Sequence, residues 1–186
     1  MRDRHESQSD AEARLYKKSA VGESKPSYLG HVVMENRNGL VMKPCVTEAG
    51  TRQEREAALQ MLAELLGEIR AKRKAGEASG AITVGGDKGY QEKDFMEGLR
   101  NLSVIAHIAE YEKKRRSWLT ASEREDLGFR ISQSKRKLVE KIFGWMKVVA
   151  GLRKTKFRGR RRVDWIFSLG AAAFNLIRRA KLIPVA

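Results

Sequence analysis

The sequence predicts a mixed α/β domain, because its segments follow the order hairpin, helix, strand, helix, strand, helices. Two apolar runs at 28–35 and 40–47 flank Asn38-Gly39, and Asn-Gly between such runs is the strongest short signal for a β-hairpin. Both runs are apolar at nearly every position rather than at alternate positions. This pattern predicts a hairpin whose two faces are both covered.

The elements after the hairpin follow from apolar spacing, cap residues and glycines. We expect a helix that begins at a capping box at 51–54 and ends near Gly76, followed by a strand at 81–84 that leads into Gly85-Gly86-Asp87. A short helix at 95–99 and a strand at 102–108 come next, and a charged, irregular insertion occupies 110–131. The chain then forms a helix at 132–150 and a last amphipathic helix from Val163 to Ile177. Trp145 and Trp165 lie on the apolar sides of their helices, which predicts that both are in the core.

Composition favours one domain with an acidic partner. The 186 residues are enough to bury a core, and 38 Lys and Arg against 23 Asp and Glu give a net charge of +15. Nucleic acid is the first candidate partner, although a ribosomal or membrane-surface protein would have the same balance. The single cysteine, Cys45, excludes a disulfide within the chain. Residues 1–25 do not resemble a secretory signal and 165–177 is too short to span a bilayer, so we expect a cytoplasmic protein without membrane partners.

Five residues of the helix expected at 132–150 form one polar stripe. At 100° per residue they all fall within about 40° of Glu140, with apolar residues on the other side. The stripe consists of Gln133, Arg136, Glu140, Gly144 and Lys147. A carboxylate between two cations, with a glycine leaving room beside it, suits a metal-binding acid that is presented to an acidic polynucleotide. The alternative is an ordinary surface glutamate paired with Arg136 one turn earlier.

Asp87 is the second candidate acid. It ends a strand after two glycines, and carboxylates at strand ends of α/β sheets are common metal and phosphate sites. The alternative is that Asp87 caps the short helix that follows it. If Asp87 and Glu140 face one cleft, they form a pair of hard oxygen ligands suited to Mg²⁺. His31, within the apolar hairpin, is expected to be a packed and hydrogen-bonded residue instead of a ligand.

A basic loop follows the striped helix. It is either a solvated linker or, beside a metal-binding acid, a surface that contacts the phosphate backbone. No element resembles a base-reading helix, so this surface is expected to position DNA without specifying sequence. Its candidate DNA-binding residues are Arg153, Lys154, Lys156, Arg158, Arg160 and Arg161.

These motifs resemble the DDE transposases of bacterial insertion sequences, in the group with a tyrosine–arginine–glutamate–lysine signature. Arg136, Glu140 and Lys147 match the last three members of that signature, and Gln133 stands where the tyrosine would be. Other segments similar to the family are 13–17, 30–40, 87–90, 143–145 and 151–155.

The resemblance implies a ribonuclease-H-like mixed sheet with flanking helices. It also implies two Mg²⁺ or Mn²⁺ ions, held by three carboxylates, that activate water or a 3′-hydroxyl for phosphoryl transfer. Asp87 would be the second carboxylate and Glu140 the third. Gln133, Arg136 and Lys147 would contact the DNA of the transposon ends, and target DNA would be the second substrate.

The first carboxylate of the resemblance has no match here. In the family it lies on the first strand of the sheet, whereas residues 1–27 are polar and predict an irregular segment. We therefore expect 28–183 to be the C-terminal part of a catalytic domain that lacks its first, central strand and has an incomplete two-metal site. Such a chain would be inactive alone, with an intact transposase or a second copy as protein partner. The alternative is a non-catalytic, basic DNA-binding remnant.

Overall fold

The computed structural model describes residues 7–17, 22–74, 80–111 and 117–183 of the chain. In chain order the elements are β1 (Arg14–Tyr16), β2 (Lys25–Met34), β3 (Val41–Glu48), α1 (Gln53–Lys74), β4 (Thr83–Gly86), a 3₁₀ turn (Lys88–Tyr90), α2 (Lys93–Asn101), β5 (Ile105–Ile108), α3 (Ala121–Glu125), α4 (Phe129–Lys135), α5 (Leu138–Val148) and α6 (Arg160–Ala180). The described residues contain both strands and helices, so the mixed α/β class is confirmed.

The predicted hairpin is confirmed as β2 and β3. The two strands pair antiparallel with His31 opposite Cys45, and Gly39 in the connection has a φ of 71°, which favours glycine. One face of the hairpin packs against α1 and the other against α6. The contact with α6 is close at Gly30, where a Cβ atom would lie 2.7 Å from the ring of Phe167.

The described strands form two separate sheets. β1, β2 and β3 form an antiparallel sheet, whereas β4 and β5 form a parallel pair. Within the described residues no strand joins β2 to β4. The ribonuclease-H-like strand order therefore stays a prediction, and so does the division of the chain at residue 28.

The buried apolar residues form two cores. The first joins the hairpin to α5 and α6, and its buried residues are Val41, Val46, Ile142, Met146, Val163, Phe167 and Ala171. The second joins α1, α2 and β5, and its buried residues are Leu62, Phe95, Met96, Leu99, Ala106, Ile108 and Leu119. Helix α1 contacts β2, β3 and α2, so it connects the two cores. No helix in the described ranges is long and apolar enough to cross a membrane.

Within the N-terminal segment, the described residues 7–17 and 22–27 are more ordered than the sequence predicted. Arg14–Tyr16 pairs with the first three residues of β2, where Arg14 lies opposite Ser27. Asp10 and Glu12, just before this strand, accept hydrogen bonds from the backbone N–H groups of Gly159 and Arg160 at the start of α6. The segment therefore supplies cap acceptors to a distant helix, which polar composition alone could not indicate.

The two predictions about capping and irregularity were partly wrong. Helix α1 begins at Gln53, and the Glu54 carboxylate accepts a hydrogen bond from the Tyr90 hydroxyl at 2.9 Å. A complete capping box instead joins Thr120 and Glu123 at α3, inside the stretch that was predicted to be irregular. Burial raises the pKa of Glu123, but hydrogen bonds from Thr120 and Arg100 lower it by more, so the net pKa is below its usual value.

Candidate functional site

Asp87 lies where the sequence predicted, directly after β4. Its Oδ1 accepts a hydrogen bond from the Gly89 N–H at 2.8 Å, so it caps the following 3₁₀ turn. The side chain is exposed, and its second oxygen has no hydrogen-bond partner among the described residues. The capping alternative is therefore observed, and one carboxylate oxygen still remains free to bind a ligand.

Glu140 lies in the first turn of α5 and is exposed. The expected ion pair with Arg136 does not form. Within the described ranges the Glu140 carboxylate has neither an ion-pair nor a hydrogen-bond partner, which weakens the interpretation as a paired surface residue. Ile142 and Met146 of the same helix are fully buried, so the carboxylate side of α5 is opposite a fixed apolar face.

The helix expected at 132–150 is divided into α4 and α5. The N–H groups of Val139 and Glu140 bond to carbonyls three residues back, on Arg136 and Lys137. This tighter 3₁₀ pattern advances the chain by about 120° per residue. The predicted stripe is consequently broken after Arg136, and Gln133 lies on a different helix from Glu140, Gly144 and Lys147.

Asp87 and Glu140 line the same cleft, which lies between β2 and β4 and has a volume of about 1120 Å³. The turn between α4 and α5 packs directly on β4, because a Cβ atom on Gly85 would lie 3.5 Å from the Ser132 carbonyl oxygen and 3.8 Å from Arg136 Cβ. Asp87 follows Gly85 by two residues and Glu140 follows Arg136 by one helical turn. The structure thus brings the two predicted acids to one part of the molecule.

A third acid, Glu54, also lines this cleft. It accepts the hydrogen bond from Tyr90, and the pKa of Tyr90 is raised by burial, by Glu54 and by the charge of Asp87. Tyr90 therefore stays protonated and donates to the carboxylate of Glu54. The sequence pattern indicated Glu54 only as part of a helix cap, because the tertiary fold alone brings α1 to this cleft.

Gln133 connects β5 to Arg136. Its Nε2 donates a hydrogen bond to the His107 carbonyl, and its Oε1 accepts a hydrogen bond from Arg136 Nε at 2.9 Å. The amide therefore orients the guanidinium of Arg136, which lines the cleft. The contact of Gln133 with DNA stays a prediction, and its observed partners are both within the protein.

A buried histidine fixes α4 against β5. His107 is fully buried, its Nδ1 shares a hydrogen bond of 2.7 Å with Ser132 Oγ, and its Nε2 lies 3.0 Å from Asp126 Oδ1 without the alignment of a hydrogen bond. His31 behaves as predicted, because it is buried and shares a hydrogen bond of 2.8 Å with Thr47 Oγ1. Neither histidine belongs to a group of described residues that could hold a metal ion.

The predicted basic surface is exposed. It comprises the loop between α5 and α6 and the first turn of α6, and none of its predicted DNA-binding residues forms an ion pair with another described residue. These residues are Arg153, Lys154, Lys156, Arg158, Arg160 and Arg161. Lys147, at the end of α5, is also exposed, but it does not line the cleft.

Trp165 was predicted to be in the core and is instead 61% exposed. It lies beside Phe157, Arg161 and Arg162, with which it lines a shallow depression on the basic surface. The prediction failed because α6 buries a narrower face than its apolar residues suggested. Trp145, in contrast, packs on the first core, with its ring centroid 5.8 Å from that of Phe174.

The acids of the cleft fit a divalent ion incompletely. Asp87 and Glu140 offer free, hard carboxylate oxygens, which suit Mg²⁺ or Mn²⁺ with water as the remaining ligands. No group of three or more Asp, Glu, His or Cys residues in the described part of the chain is placed to hold a metal ion. The two acids therefore have the oxygen chemistry that a divalent ion prefers, but they are fewer than a two-metal site needs.

A mixed α/β chain with a strand-end aspartate, a helix glutamate and a basic surface has the features of enzymes that process nucleic acids. The chain belongs to the transposase DDE domain family, whose model matches residues 3–176. Members of this family act on DNA in transposition and generally use divalent metal ions. Comparisons with curated proteins and with solved structures gave no match.

Proposed function

We propose that this chain binds the DNA ends of an insertion sequence as part of a DDE transposase of the tyrosine–arginine–glutamate–lysine group. The observation that carries the proposal is the cleft shared by Asp87 and Glu140, two acids from separate elements of a chain in this family. Arg136 lines the same cleft, where its guanidinium would attract the phosphate next to the reacting bond.

Asp87 and Glu140 would hold the divalent ion, which polarises the phosphate and lowers the pKa of a bound water when it is present. Gln133 would keep the Arg136 guanidinium directed at the phosphate. The basic surface and Lys147 would contact the DNA backbone further from the cleft. These contacts go to phosphates, so they contribute affinity and position on DNA without reading sequence.

Glu54 also lines the cleft, but it is held by Tyr90, and no three acids of the described residues are placed to hold a metal ion. Asp87 and Glu140 alone are fewer than the three carboxylates of the full two-metal reaction. We therefore propose that the 186-residue chain alone binds DNA without cleaving it. The second candidate function is a non-catalytic DNA-binding protein that competes with an intact transposase, and it is favoured by the same shortage of metal ligands among the described residues. A third carboxylate near Asp87 and Glu140 would be needed for cleavage.

The first test is nicking of supercoiled and transposon-end DNA by the purified chain with Mg²⁺ or Mn²⁺. We expect DNA binding without nicking. In any preparation that does cleave, Glu140→Gln and Asp87→Asn should each abolish cleavage, while DNA affinity stays equal or rises because a negative charge is removed. Cleavage that survives in both variants would contradict the assignment of these acids, and a clear loss of affinity in Glu140→Gln would indicate a structural role.

The second test concerns the basic surface and the salt dependence of DNA binding. Each phosphate contact adds about 0.9 to the slope of log affinity against log salt. Replacing Arg158 and Arg161 with alanine should lower the slope by about 2 and weaken binding equally on unrelated sequences. The matched control replaces Arg179 and Lys181 with alanine, which removes the same charge at the opposite end of α6. Equal slopes in both double variants would mean that the basic surface does not contact DNA.

A further inference from the structure

The cleft that holds the two acids continues between the two sheets. On one side it is lined by β2 from Gly30 to Met34, and on the other by β4 and the residues just before it. Helix α1 closes one face and the α4–α5 turn the other. The cleft is therefore bounded by two strand edges and by helices, which are the same surroundings as those of a strand inside a covered sheet.

The backbone of β2 directs polar groups into this cleft. Asp164 Oδ1 accepts a hydrogen bond from the Val46 N–H at 2.7 Å, so the backbone of Val46 faces α6 and away from β2. Val46 lies opposite Gly30. Because the Val46 N–H does not bond to β2, the two residues form a non-hydrogen-bonded pair, in which the backbone N–H and C=O groups of both residues point away from the partner strand. The N–H and C=O groups of Gly30 therefore face the cleft, and so do those of Val32, two residues further along the strand.

The backbone of β4 does the same from the opposite side. The carbonyls of Ile82 and Gly86 accept hydrogen bonds from the N–H groups of Ile105 and Ala109, so these alternate residues face β5. Thr83 and Gly85 lie between them in the alternation, and their N–H and C=O groups consequently face away from β5. β5 is the only strand paired with β4 within the described ranges, so this edge is unpaired.

The outer edge of β3, in contrast, is protected. Asp164 accepts from Val46, Pro44 has no N–H to donate, and Asn175 bonds to both the N–H and the C=O of Val41 at 2.8 Å. Side chains that satisfy an edge, and proline within it, prevent pairing with another strand. β1 covers the edge of β2 only at Lys25–Ser27, so the cleft-facing edges of β2 from Gly30 to Met34 and of β4 have no such protection among the described residues.

The dimensions of the cleft also suit one strand. A strand in a packed sheet occupies roughly 4.8 Å between strands, 10 Å between layers and 3.3 Å along its axis per residue, or about 160 Å³ per residue. A cleft volume of about 1120 Å³ is large enough to hold a segment of roughly seven residues. Its walls are largely apolar, and they include Met61, Leu65 and Ile69 of α1 and Ile131, Val139 and Phe143 of α4 and α5.

We propose that this cleft binds an extended, largely apolar polypeptide segment of about seven residues, which adds as a strand between β2 and β4 and joins the two sheets. Backbone hydrogen bonds to Gly30, Val32, Thr83 and Gly85 would give the register, and the apolar walls would give the affinity. Buried backbone groups need partners, so a polypeptide in extended form satisfies this cleft better than an apolar small molecule.

The probe for the test is a fluorescein-labelled peptide with about seven valine, isoleucine and threonine residues between glutamates that keep it soluble. Binding to the 186-residue chain is measured by fluorescence anisotropy without DNA or metal, so the result does not depend on the proposed transposition chemistry. We expect saturable binding. A peptide with the same side chains but N-methyl groups on alternate backbone nitrogens should bind at least tenfold more weakly.

A matched pair of protein variants localises the binding. Ile131 lines the cleft and is 64% exposed, whereas Ile177 is 45% exposed on α6 and does not line it. Ile131→Lys should weaken binding of the peptide at least tenfold, and Ile177→Lys should not change it. Both side chains are exposed, so both variants should keep the circular dichroism spectrum of the unchanged chain.

Hydrogen exchange gives a readout that does not depend on any variant. Bound peptide should slow exchange of the Gly30, Val32, Thr83 and Gly85 amides at least tenfold. Equal binding of the N-methylated peptide, or unchanged exchange at these amides, would overturn the proposal. Sedimentation of the chain alone as a dimer with these amides already protected would also overturn it, because a second copy would then be the occupant.

Discussion

Asp87 uses its two carboxylate oxygens differently. Oδ1 caps the 3₁₀ turn through the Gly89 N–H, and Oδ2 is left without a partner among the described residues. The two interpretations that the sequence left open, a cap and a metal ligand, are therefore compatible at one residue. The position itself could be predicted, because a strand end followed by glycines is a local pattern.

The role of Gln133 could not be predicted in the same way. Its partners are a carbonyl in β5, 26 residues earlier, and the guanidinium of Arg136. Helical spacing placed Gln133 on the same stripe as Glu140, but spacing holds no information about which carbonyl lies opposite. Contacts between distant segments decide such roles, and one sequence without its fold does not contain them.

His31 makes a testable prediction about pH. Burial lowers the pKa of His31 below the ordinary value of 6.5. The unfolded chain therefore binds this proton more readily, so the free energy of unfolding should fall as pH decreases below about 6.5 and be insensitive to His31 above it. One proton contributes at most about 1.4 kcal/mol per pH unit.

Urea unfolding at pH 5, 6, 7 and 8 measures this effect. His31→Gln keeps an amide that can bond to Thr47 Oγ1 but does not titrate, so its stability should decrease less between pH 7 and 5. The two proteins differ only at residue 31, so the difference between their pH profiles isolates the contribution of His31. The same pH dependence in both proteins would show that His31 does not contribute.

At the scale of elements, those with strong local signals were predicted, whereas a break within a helix and a very short helix were missed. The hairpin, α2 and α6 were predicted because apolar spacing and turn residues are local signals. The division of α4 from α5 was missed because a change from α to 3₁₀ hydrogen bonding leaves the residue pattern almost unchanged. α3 was missed because five charged and small residues have no apolar period, although its Thr120–Glu123 capping box was readable in the sequence.

Helix α6 protects the edge of β3 through Asn175, which gives a prediction at this scale. Val41 is buried, and Asn175→Leu would leave its N–H and C=O groups unpaired. We expect a loss of about 2 kcal/mol in the free energy of unfolding. Leu176→Ala, at the exposed neighbouring position, should change it by less than about 0.5 kcal/mol.

Asn175→Asp separates the two hydrogen bonds. The aspartate can still accept from the Val41 N–H but cannot donate to the Val41 carbonyl, so its stability should lie between those of the unchanged chain and Asn175→Leu. Urea unfolding of all four proteins gives the comparison. Equal stabilities for the leucine and alanine variants would mean that the edge is satisfied by water instead.

For the whole molecule, the residues predicted the mixed α/β class and singled out Asp87 and Glu140 as candidate acids, whereas the pairing of the strands into two sheets could not be derived from them. Charge, the hairpin signal and the residues around Asp87 and Glu140 are properties of short segments. The gap between β2 and β4 is a property of which strands pair, and pairing partners lie far apart in the chain. The same limit explains why Trp165 was wrongly assigned to the core.

The two cores provide a prediction for the whole chain, because α1 is the main element that contacts both. Two sheets that share no backbone hydrogen bonds among the described residues should transmit unfolding poorly from one core to the other. We therefore expect two separate transitions in denaturant instead of the single transition of a cooperative domain.

The tryptophans allow each core to be followed by itself. Trp145 packs on the first core and Trp118 on the second, whereas Trp165 is exposed. A chain with Trp118→Phe and Trp165→Phe reports on the first core, and one with Trp145→Phe and Trp165→Phe reports on the second. Without peptide we expect different urea midpoints for the two cores. When the strand peptide is added the midpoints should converge, because a strand shared by both sheets is lost from one sheet when the other unfolds, which leaves backbone groups unpaired in both. Coincident midpoints without the peptide would mean that α1 alone is sufficient to couple the cores.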